Sequence, residues 1–326
     1  MNGWVGMDVA KATLEVVLLR PQDEQATTLP NTKAGFHTLH HFLQKRCPDG
    51  TPICLEATGL YGDAVAEFLY QRGYRVSVVN PARIKAYGDS RLRRNKTDRS
   101  DARLIAHFCR TQQPEAWTPP IPAVKELRAL LRHLDDLQAM RQQEHNRMQA
   151  GETSPSVLAQ LTAHLAFLDS QITVLKQQIN DHFDQHPDLK HQRDLLTSIP
   201  GIGDLTAGKL LAEIGDIRAF GSARQLAAFV GVTPRQHQSG TSIRRPSRIS
   251  KQGSAALRAA LYMPAVVAKR HNPLVRALAE RLQARGHSSM SIIVAAMRKL
   301  LHLAFGVLKS GQPFDPHYLD HRVVSA

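Results

Sequence analysis

The sequence predicts an α/β domain followed by a mainly helical part, and three observations carry this prediction. Short apolar runs alternate with helical patterns over residues 1–110. A heptad pattern then runs from Leu158 to Phe183, and prolines punctuate the later helical stretches. With 326 residues and 42% hydrophobic content, the chain can bury a core in each of two domains.

The N-terminal elements are expected in the order strand, strand, short third strand, helix, strand, helix, strand. The strands correspond to WVGMDVA, TLEVVLL, residues 26–29, PICLEA and RVSVVN, and the helices to GFHTLHHFLQKR and GDAVAEFLYQRG. A basic stretch from Arg83 to Arg103 has eight Lys or Arg against three Asp and leads into a helix over SDARLIAHFC. The prolines of residues 118–124 then predict a domain boundary.

Residues 125–186 are helical by pattern, in two helices separated by AGETSPS. The second helix repeats apolar residues in alternating steps of about three and four. They are Leu158, Leu161, Leu165, Leu168, Ile172, Leu175, Ile179 and Phe183. Such a seam needs a partner helix, in the same chain or in another, and periodicity does not decide between a hairpin and an oligomerising coiled coil.

From Leu195 onward, LLTSIPGIGDLTAGKLLAEIGD has the form helix, Pro-Gly-Ile-Gly hairpin, helix. Its glycines suit either close approach to a phosphate or a purely structural turn between helices. The remainder is expected to be helical. The predicted domains are residues 1–117, 118–190 and 191–326.

Charge is distributed unevenly along the chain. The formal net charge is +14 and the pI is near 10.0, and residues 217–279 contain eleven Lys or Arg but no Asp or Glu. Such a field favours nucleic acid as the partner. The candidate nucleic-acid-binding residues are Arg83, Lys85, Arg91, Arg93, Arg94, Lys96, Arg235, Arg244, Arg245, Arg248 and Lys251.

The three cysteines form neither a metal-ligand pattern nor a disulfide framework, which suits a reducing cytoplasm. The N-terminus lacks a signal-peptide pattern, and no apolar run approaches the roughly 18 residues that span a bilayer. We therefore expect a cytoplasmic protein, associated with the nucleoid in action, and no membrane partner.

Four carboxylates stand where a metal site would need them. Asp8 lies inside an apolar strand, and Glu56 ends another strand that would be its neighbour in the sheet. Asp98 and Asp101 are three residues apart and share a helix face. Either one alone is as well explained as a helix N-terminal acid, and Glu56 also suits a turn. Together the four predict ligands for Mg²⁺ or Mn²⁺ in phosphoryl transfer.

The segment QSGTSIRRPSRISKQG, residues 238–253, places Ser239 ahead of a cluster of cations. A serine hydroxyl is a weak nucleophile without an activator, and no catalytic triad is visible around it. From the local sequence, Ser239 is better explained as a hydroxyl that binds a phosphate. Attack on a phosphodiester is the alternative, with Arg244, Arg245 and Arg248 neutralising the charge that develops.

Six motifs, in order along nearly the whole chain, resemble the DEDD transposases of the IS-one-ten insertion-sequence family, which are related to the Piv and MooV invertases. They are GMDVAK, LEATG, KTDRSDA, PGIG, VTPRQHQSG and ISKQGSAALRAALY. The resemblance implies an RNase H-like, RuvC-like N-terminal domain, a coiled-coil connection and a C-terminal transposase domain with a serine nucleophile. Ser254 departs from the Asn of many relatives, which bears on packing or DNA contact.

By this resemblance Asp8, Glu56, Asp98 and Asp101 are the metal ligands and Ser239 is the nucleophile. It also implies a bridge RNA that pairs with target and donor DNA, and a tetramer built from two dimers. The leading hypothesis is a recombinase that joins double-stranded DNA ends through a phosphoserine intermediate. A RuvC-type junction nuclease that uses water is the second, and a non-catalytic nucleic-acid-binding protein is the third.

Overall fold

The structure is a computed structural model that describes residues 3–47, 50–57, 59–91, 97–151, 154–239 and 243–317. The chain divides into two compact units, Met1–Pro119 and Pro120–Ala326. The first boundary expected from the prolines of residues 118–124 falls at this division. The further boundary near residue 190 stays a prediction.

The first unit is a mixed five-stranded sheet with helices on both faces. Its elements are β1 Trp4–Val9, β2 Thr13–Leu19, β3 Glu24–Pro30, α1 Lys33–Gln44, β4 Pro52–Glu56, α2 Leu60–Tyr70, β5 Arg75–Val79, α3 Pro81–Ser90 and α4 Asp98–Gln112. The strand order is β3-β2-β1-β4-β5. β1, β2 and β3 pair antiparallel, whereas β1, β4 and β5 are parallel. The predicted order of elements is confirmed, with α3 as an addition.

Successive side chains of each strand point to opposite faces of the sheet. On one face, Val5 and Met7 of β1 share a core with the buried residues of α1 and α2, including Leu39 and Leu69. On the other face, Val17 of β2 packs with the small residues of α4. The sheet is therefore covered on both sides, and α4 lies on the face opposite α1 and α2.

Helix α3 was not expected from the sequence, because its basic residues look like part of a charged connection. It begins after Asn80, whose side-chain oxygen accepts a hydrogen bond from the backbone N–H of Ala82, and Pro81 occupies the first helical position. Ile84 is buried beside Phe108 of α4. The first part of the basic stretch is therefore a helix packed on the first unit.

The second unit begins with a helical hairpin, α5 Pro122–Gln149 and α6 Pro155–Gln185. Leu168, Ile172 and Phe183 of the heptad seam belong to the same buried core as Leu127 and Leu134 of α5. An ion pair between Arg141 and Asp169 joins the two helices further along. The seam therefore finds its partner within the chain, which resolves the question left open by periodicity.

The rest of the second unit is helical except for one two-stranded ribbon. Its elements are α7 Pro187–Thr197, α8 Asp204–Ile214, α9 Ala223–Val230, β6 Pro234–Ser239, β7 Ile243–Ile249, α10 Ala255–His271, α11 Pro273–Ala284 and α12 Ser289–Ser310. The expectation that this whole region is helical was wrong for residues 234–249. These residues lack a helical apolar period, and their backbone groups pair between β6 and β7 instead.

Helix α12 reaches the length and apolar composition of a membrane-spanning helix, so the expectation that no run comes near this length was wrong. Its apolar residues Ala296, Leu300 and Leu301 lie in the core of the second unit. Arg298 and Lys299 interrupt the apolar sequence at its middle. The helix is therefore explained by core packing.

Candidate active site

The first unit brings α4 unusually close to the sheet at Gly6 of β1. A methyl group at this position would lie 2.2 Å from the carbonyl oxygen of Ala102 and 2.2 Å from the backbone nitrogen of Ala106. Both contacts are with backbone, so no rotamer change relieves them. Glycine inside a strand weakens the strand by about 0.5–1 kcal/mol. Here the missing side chain is what lets α4 lie directly on β1.

Asp8 and Glu56 lie side by side on the sheet face that α4 covers. Asp8 is two residues beyond Gly6, and the alternation of side chains puts both on the same face. Glu56 is likewise two residues beyond Cys54, which packs against α4. β1 and β4 are parallel with Met7 opposite Leu55, so the next residues, Asp8 and Glu56, occupy adjacent positions. Both side chains are half-buried. The predicted convergence of these two strands is confirmed.

Asp98 and Asp101 lie in the first turn of α4. Thr97 caps the helix: its hydroxyl accepts a hydrogen bond from the backbone N–H of Ser100, whose own hydroxyl accepts one from the backbone N–H of Thr97. This reciprocal pair fixes where the helix begins. The negative charges of Asp98 and Asp101 also interact favourably with the positive end of the helix dipole. Stabilisation of the start of α4 therefore explains the two acids as well as metal binding does.

The pKa of Asp8 reports how near these carboxylates come. Burial raises the pKa of the Asp8 carboxyl, the charges of Asp101 and Asp98 raise it further, and the backbone N–H of Val9 opposes the shift. Asp8 is therefore within electrostatic reach of both acids of α4. Oxygen donors around a concentration of negative charge match the preferences of Mg²⁺ and Mn²⁺.

The four carboxylate side chains nevertheless do not converge on one point as the ligands of a bound metal ion would. Among the described residues, no three His, Cys, Asp or Glu side chains stand close enough together to hold a metal ion. The strand register still places Asp8 beside Glu56, and the charges of Asp101 and Asp98 raise the pKa of Asp8. The backbone therefore brings together the elements that carry the four acids.

Glu15 of β2 is a fifth carboxylate that the sequence analysis missed. It pairs across the antiparallel ladder with Asp8, and its charge also raises the pKa of Asp8. The Thr28 hydroxyl donates a hydrogen bond of 2.6 Å to its Oε1 atom. The sequence feature that could have identified Glu15 is the one that identified Asp8: a carboxylate within an apolar strand.

The predicted basic residues of the first unit lie in and after α3. Arg83 and Lys85 are exposed, and the Arg83 guanidinium stands 5.4 Å from the centre of the Phe108 ring. Arg91 Nη1 donates a 3.0 Å hydrogen bond to the Tyr87 hydroxyl. The remaining three fall outside the described residues: Arg93, Arg94 and Lys96.

Ser239 is the last residue of β6 and lies in register with Ile243 of β7. Gln238 pairs in the same ladder with Arg244, and His237 with Arg245. Residues 240–242 and the side chains of Ser239, Arg244, Arg245 and Arg248 lie outside the described part of the structure. The two remaining candidates, Arg235 and Lys251, are exposed. Four of the basic residues predicted around the serine are therefore distributed along one ribbon, and Lys251 follows it.

Ser254 begins α10, where its hydroxyl accepts a 3.2 Å hydrogen bond from the backbone N–H of Leu257. Asn is an equally good residue at such a cap. The departure from the family pattern at this position therefore has a local structural explanation.

The Pro-Gly-Ile-Gly turn between α7 and α8 has a structural role at one of its glycines. Gly201 has φ of +107°, and a methyl group there would lie 3.0 Å from the carbonyl oxygen of Pro264 and 2.8 Å from the Ala268 side chain. The close approach of α10 therefore requires Gly201. A methyl group at Gly203 would meet nothing within 4 Å, so packing does not explain the second glycine.

Two family models identify the chain, with its mixed sheet and acids on one face, as a DNA transposase. Residues 5–151 match a DEDD transposase model, and residues 193–280 match the transposase IS116/IS110/IS902 family. The chain belongs to this family of insertion-sequence transposases.

Similar proteins extend along almost the whole chain. The pilin gene-inverting protein of Moraxella bovis is 35% identical over 96% of this chain and 97% of its own length. The transposase for insertion sequence element IS1328 of Yersinia enterocolitica is 26% identical over 95% of this chain and 98% of its own length. A solved structure of T. thermophilus RuvC with a Holliday junction substrate is 12% identical and covers 36% of this chain and 100% of its own, with a TM-score of only 0.29.

Proposed function

We propose that this transposase cuts and rejoins DNA through a covalent phosphoserine link at Ser239, with a divalent metal held by Asp8, Glu56, Asp98 and Asp101. The observation that carries the proposal is the placement of Asp8 and Glu56 side by side beneath α4, whose first turn carries the other two acids. The names of the Moraxella relatives favour inversion of a DNA segment as one outcome of this chemistry.

The four carboxylates would hold Mg²⁺ or Mn²⁺, which when bound stabilises the attacking and leaving oxygens of a phosphoryl transfer. Burial and the charges of Asp101 and Asp98 raise the pKa of Asp8, so a nearby cation would stabilise its ionised form. Gly6 positions α4 so that its first turn stays over the end of β1.

The Ser239 hydroxyl would attack the phosphorus of the scissile phosphodiester, lose its proton and release a deoxyribose hydroxyl as leaving group. The released hydroxyl, or that of another DNA strand, later displaces the serine and restores a phosphodiester. Arginines are spaced along the paired strand from Arg244 to Arg248, and their charge suits a phosphate at this ribbon.

Detection of a covalent adduct between Ser239 and DNA tests the proposed serine mechanism. The purified chain is incubated with end-labelled DNA and Mg²⁺, then denatured, and labelled protein is sought by gel and located by peptide mapping. We expect label on the Ser239 peptide and none with Ser239→Ala. Cleavage that persists in Ser239→Ala without any adduct would overturn the serine mechanism and leave water as the nucleophile.

Guidance by a bridge RNA that pairs with target and donor DNA is the second part of the proposal. Its support is the family to which the chain belongs, together with a sequence in which no base-reading motif stands out. A defined RNA, encoded beside the gene, should copurify with the protein. Recoding its guide segment should redirect recombination, and a fixed choice of site after recoding would assign sequence reading to the protein.

We further propose that the carboxylates of one chain act on DNA together with Ser239 of another, within a dimer of dimers. Phe167 and Val174 of α6 are 58% and 49% exposed and lie seven residues apart, on one face of the helix. This apolar strip suits contact with a second copy of the hairpin.

Mixing two inactive variants tests the two-chain site, because neither chain alone carries an intact set of groups. The Asp101→Asn protein and the Ser239→Ala protein are mixed. The adduct should form on the Asp101→Asn chain, and only in the mixture. Tagged pull-down confirms that mixed assemblies are present. Mixed assemblies that give no adduct would place acids and serine in the same chain.

A further inference from the structure

A cleft of about 1050 Å³ opens at the base of the β6–β7 ribbon, entirely within the second unit. Pro234 and Ile249, which pair at this base, line the cleft together with Leu282 of α11, and one face of α12 from Met290 to His302 forms the floor. The floor residues recur at helical spacing, from Ser291 through Ala295 to His302, so one face of α12 is turned to the cleft.

The charged residues that line this cleft are all basic. Lys251, Arg298 and Lys299 line it together with His287 and His302, and its described lining includes no Asp or Glu. A concave basic surface without carboxylates attracts anions, and its concavity strengthens the field. None of these residues except Lys251 was singled out by the sequence.

Unpaired polar atoms gather at the same place. In the described part of the chain, three buried side-chain atoms lack a hydrogen-bond partner: Arg298 Nε, His302 Nε2 and Thr233 Oγ1. Two belong to residues that line the cleft, and Thr233 lies between the lining residues Val232 and Pro234. A buried polar group left without a partner costs about 1–3 kcal/mol. Because Arg Nε–H can only donate, the partner it lacks is an acceptor.

Part of the lining is apolar. Leu278 and Leu282 of α11 and Val294 of α12 line the cleft, and Met290 of α12 is 57% exposed. A free phosphate gains nothing from these apolar residues, whereas a phosphate that carries a nucleoside places its base against them. A paired and stacked base is not available for this contact.

We infer that the cleft binds an unpaired nucleotide of a DNA strand, with the phosphate on Arg298 and its neighbouring cations and the base against Leu278, Leu282 and Val294. The choice of DNA rests on the proposed function, because the cleft lies at the base of the ribbon that carries Ser239. The cleft anchors a strand that has left its duplex, close in the same unit to the ribbon that is expected to attack it.

The state of His302 agrees with this assignment. Burial lowers the pKa of the His302 imidazole, and the charges of Arg298, Lys299 and Arg224 lower it further. The ring is therefore neutral at neutral pH, and its unpaired Nε2 serves as donor or acceptor according to tautomer. A neutral His302 adds no charge to the cleft, so an anion there would be bound by Lys251, Arg298 and Lys299.

Binding of a short labelled oligo(dT) to the full chain tests the inference, read by fluorescence anisotropy in EDTA so that no DNA is cut. Arg298→Gln removes the charge and the unpaired Nε–H group, and Ala295→Leu fills the cleft without changing the charge. We expect Arg298→Gln to weaken binding about tenfold, as for loss of one charge-assisted contact, and Ala295→Leu to weaken it to a similar extent because it occupies the space for the base. Arg281→Gln is the matched control, because Arg281 is exposed on α11 outside the cleft lining.

Equal losses in Arg298→Gln and Arg281→Gln would overturn the inference in favour of general attraction to the basic surface. Unchanged binding by an Ala295→Leu chain with parental thermal unfolding would overturn it as well. Losses confined to oligo(rU) would assign the cleft to RNA and contradict the DNA assignment. The adduct on Ser239 is measured separately with Mg²⁺, so either result can fail without the other.

Discussion

The two regions expected to supply the reacting groups are built in opposite ways. Asp8 and Glu56 lie on central strands of a sheet covered on both faces, and their register is fixed by neighbours on each side. Ser239 ends a ribbon of two strands that pair only with each other, and a bulge interrupts their pairing between Arg235 and His237. A two-stranded ribbon has little stability of its own.

This difference assigns the regions different tasks. The covered sheet fixes the backbone positions of Asp8 and Glu56 on adjacent strands, which the proposed metal site would require. The ribbon lacks that support, so we expect contacts with DNA or with another chain to stabilise its position. We therefore expect Asp8 and Glu56 to be in place before the substrate arrives, and Ser239 to be positioned when it binds.

The largest effect should come from removing a carboxylate of the first unit. Asp101→Asn should reduce cleavage on the order of a thousandfold, because loss of metal affects several kcal/mol of transition-state stabilisation. DNA affinity should stay near the parental value in a binding assay. Glu15→Gln is the comparison, since Gln keeps an acceptor for Thr28, and cleavage should fall by no more than about tenfold.

A comparable loss for Glu15→Gln would extend the metal-binding set to five carboxylates. Full cleavage by Asp101→Asn in Mg²⁺ would remove Asp101 from the site altogether.

A single methyl group at Gly6 should separate α4 from the sheet. We expect Gly6→Ala to lower the free energy of unfolding by about 1–3 kcal/mol and to reduce cleavage, because the added atom meets the backbone of α4. Thermal unfolding and cleavage assays measure the two effects. Gly306→Ala in α12, where a methyl group meets nothing within 4 Å, should instead stabilise the chain by about 0.5–1 kcal/mol.

The raised pKa of Asp8 predicts a pH-dependent effect on stability. A carboxyl whose folded pKa is raised contributes stability below its ordinary value of 3.8, and that contribution is lost as pH rises through the folded value. Asp8→Asn should therefore melt at a slightly higher temperature than the parent in EDTA at pH 7, with the difference fading in acid.

The control for this effect is Asp184, whose pKa is lowered by its hydrogen bond from Lys190. Asp184→Asn should show no gain at pH 7. A lower melting temperature for Asp8→Asn at pH 7 would mean that the Asp8 carboxylate is stabilised in the folded chain, contrary to its surroundings.

The smallest effect concerns the helix that follows the ribbon. Ser254→Ala removes the acceptor at the start of α10 and should cost about 1 kcal/mol in chemical denaturation, whereas Ser254→Asn should remain within about 0.5 kcal/mol of the parent. A large loss for Ser254→Asn would show that this position does more than cap a helix.

The sequence was sufficient for the sheet because its strands alternate between two covered faces and show clear apolar runs. It also predicted that Asp8 and Glu56 would be neighbours, since their strands follow from the order of elements. The ribbon was missed because Arg, Gln and Pro dominate its strands, and only pairing between them reveals it. Gly6 carried no local signal, since the need for glycine comes from α4, a helix that begins more than ninety residues later.

The contact at Gly6 also limits how the gene for this chain can change. Every other amino acid has at least a β-carbon, so each amino-acid replacement at this codon introduces the same collision with the backbone of α4. Conservative replacements do not exist at such a position. A gene copy that acquires any missense change there would keep its reading frame and most of its sequence, yet encode a chain with lower stability and weaker cleavage.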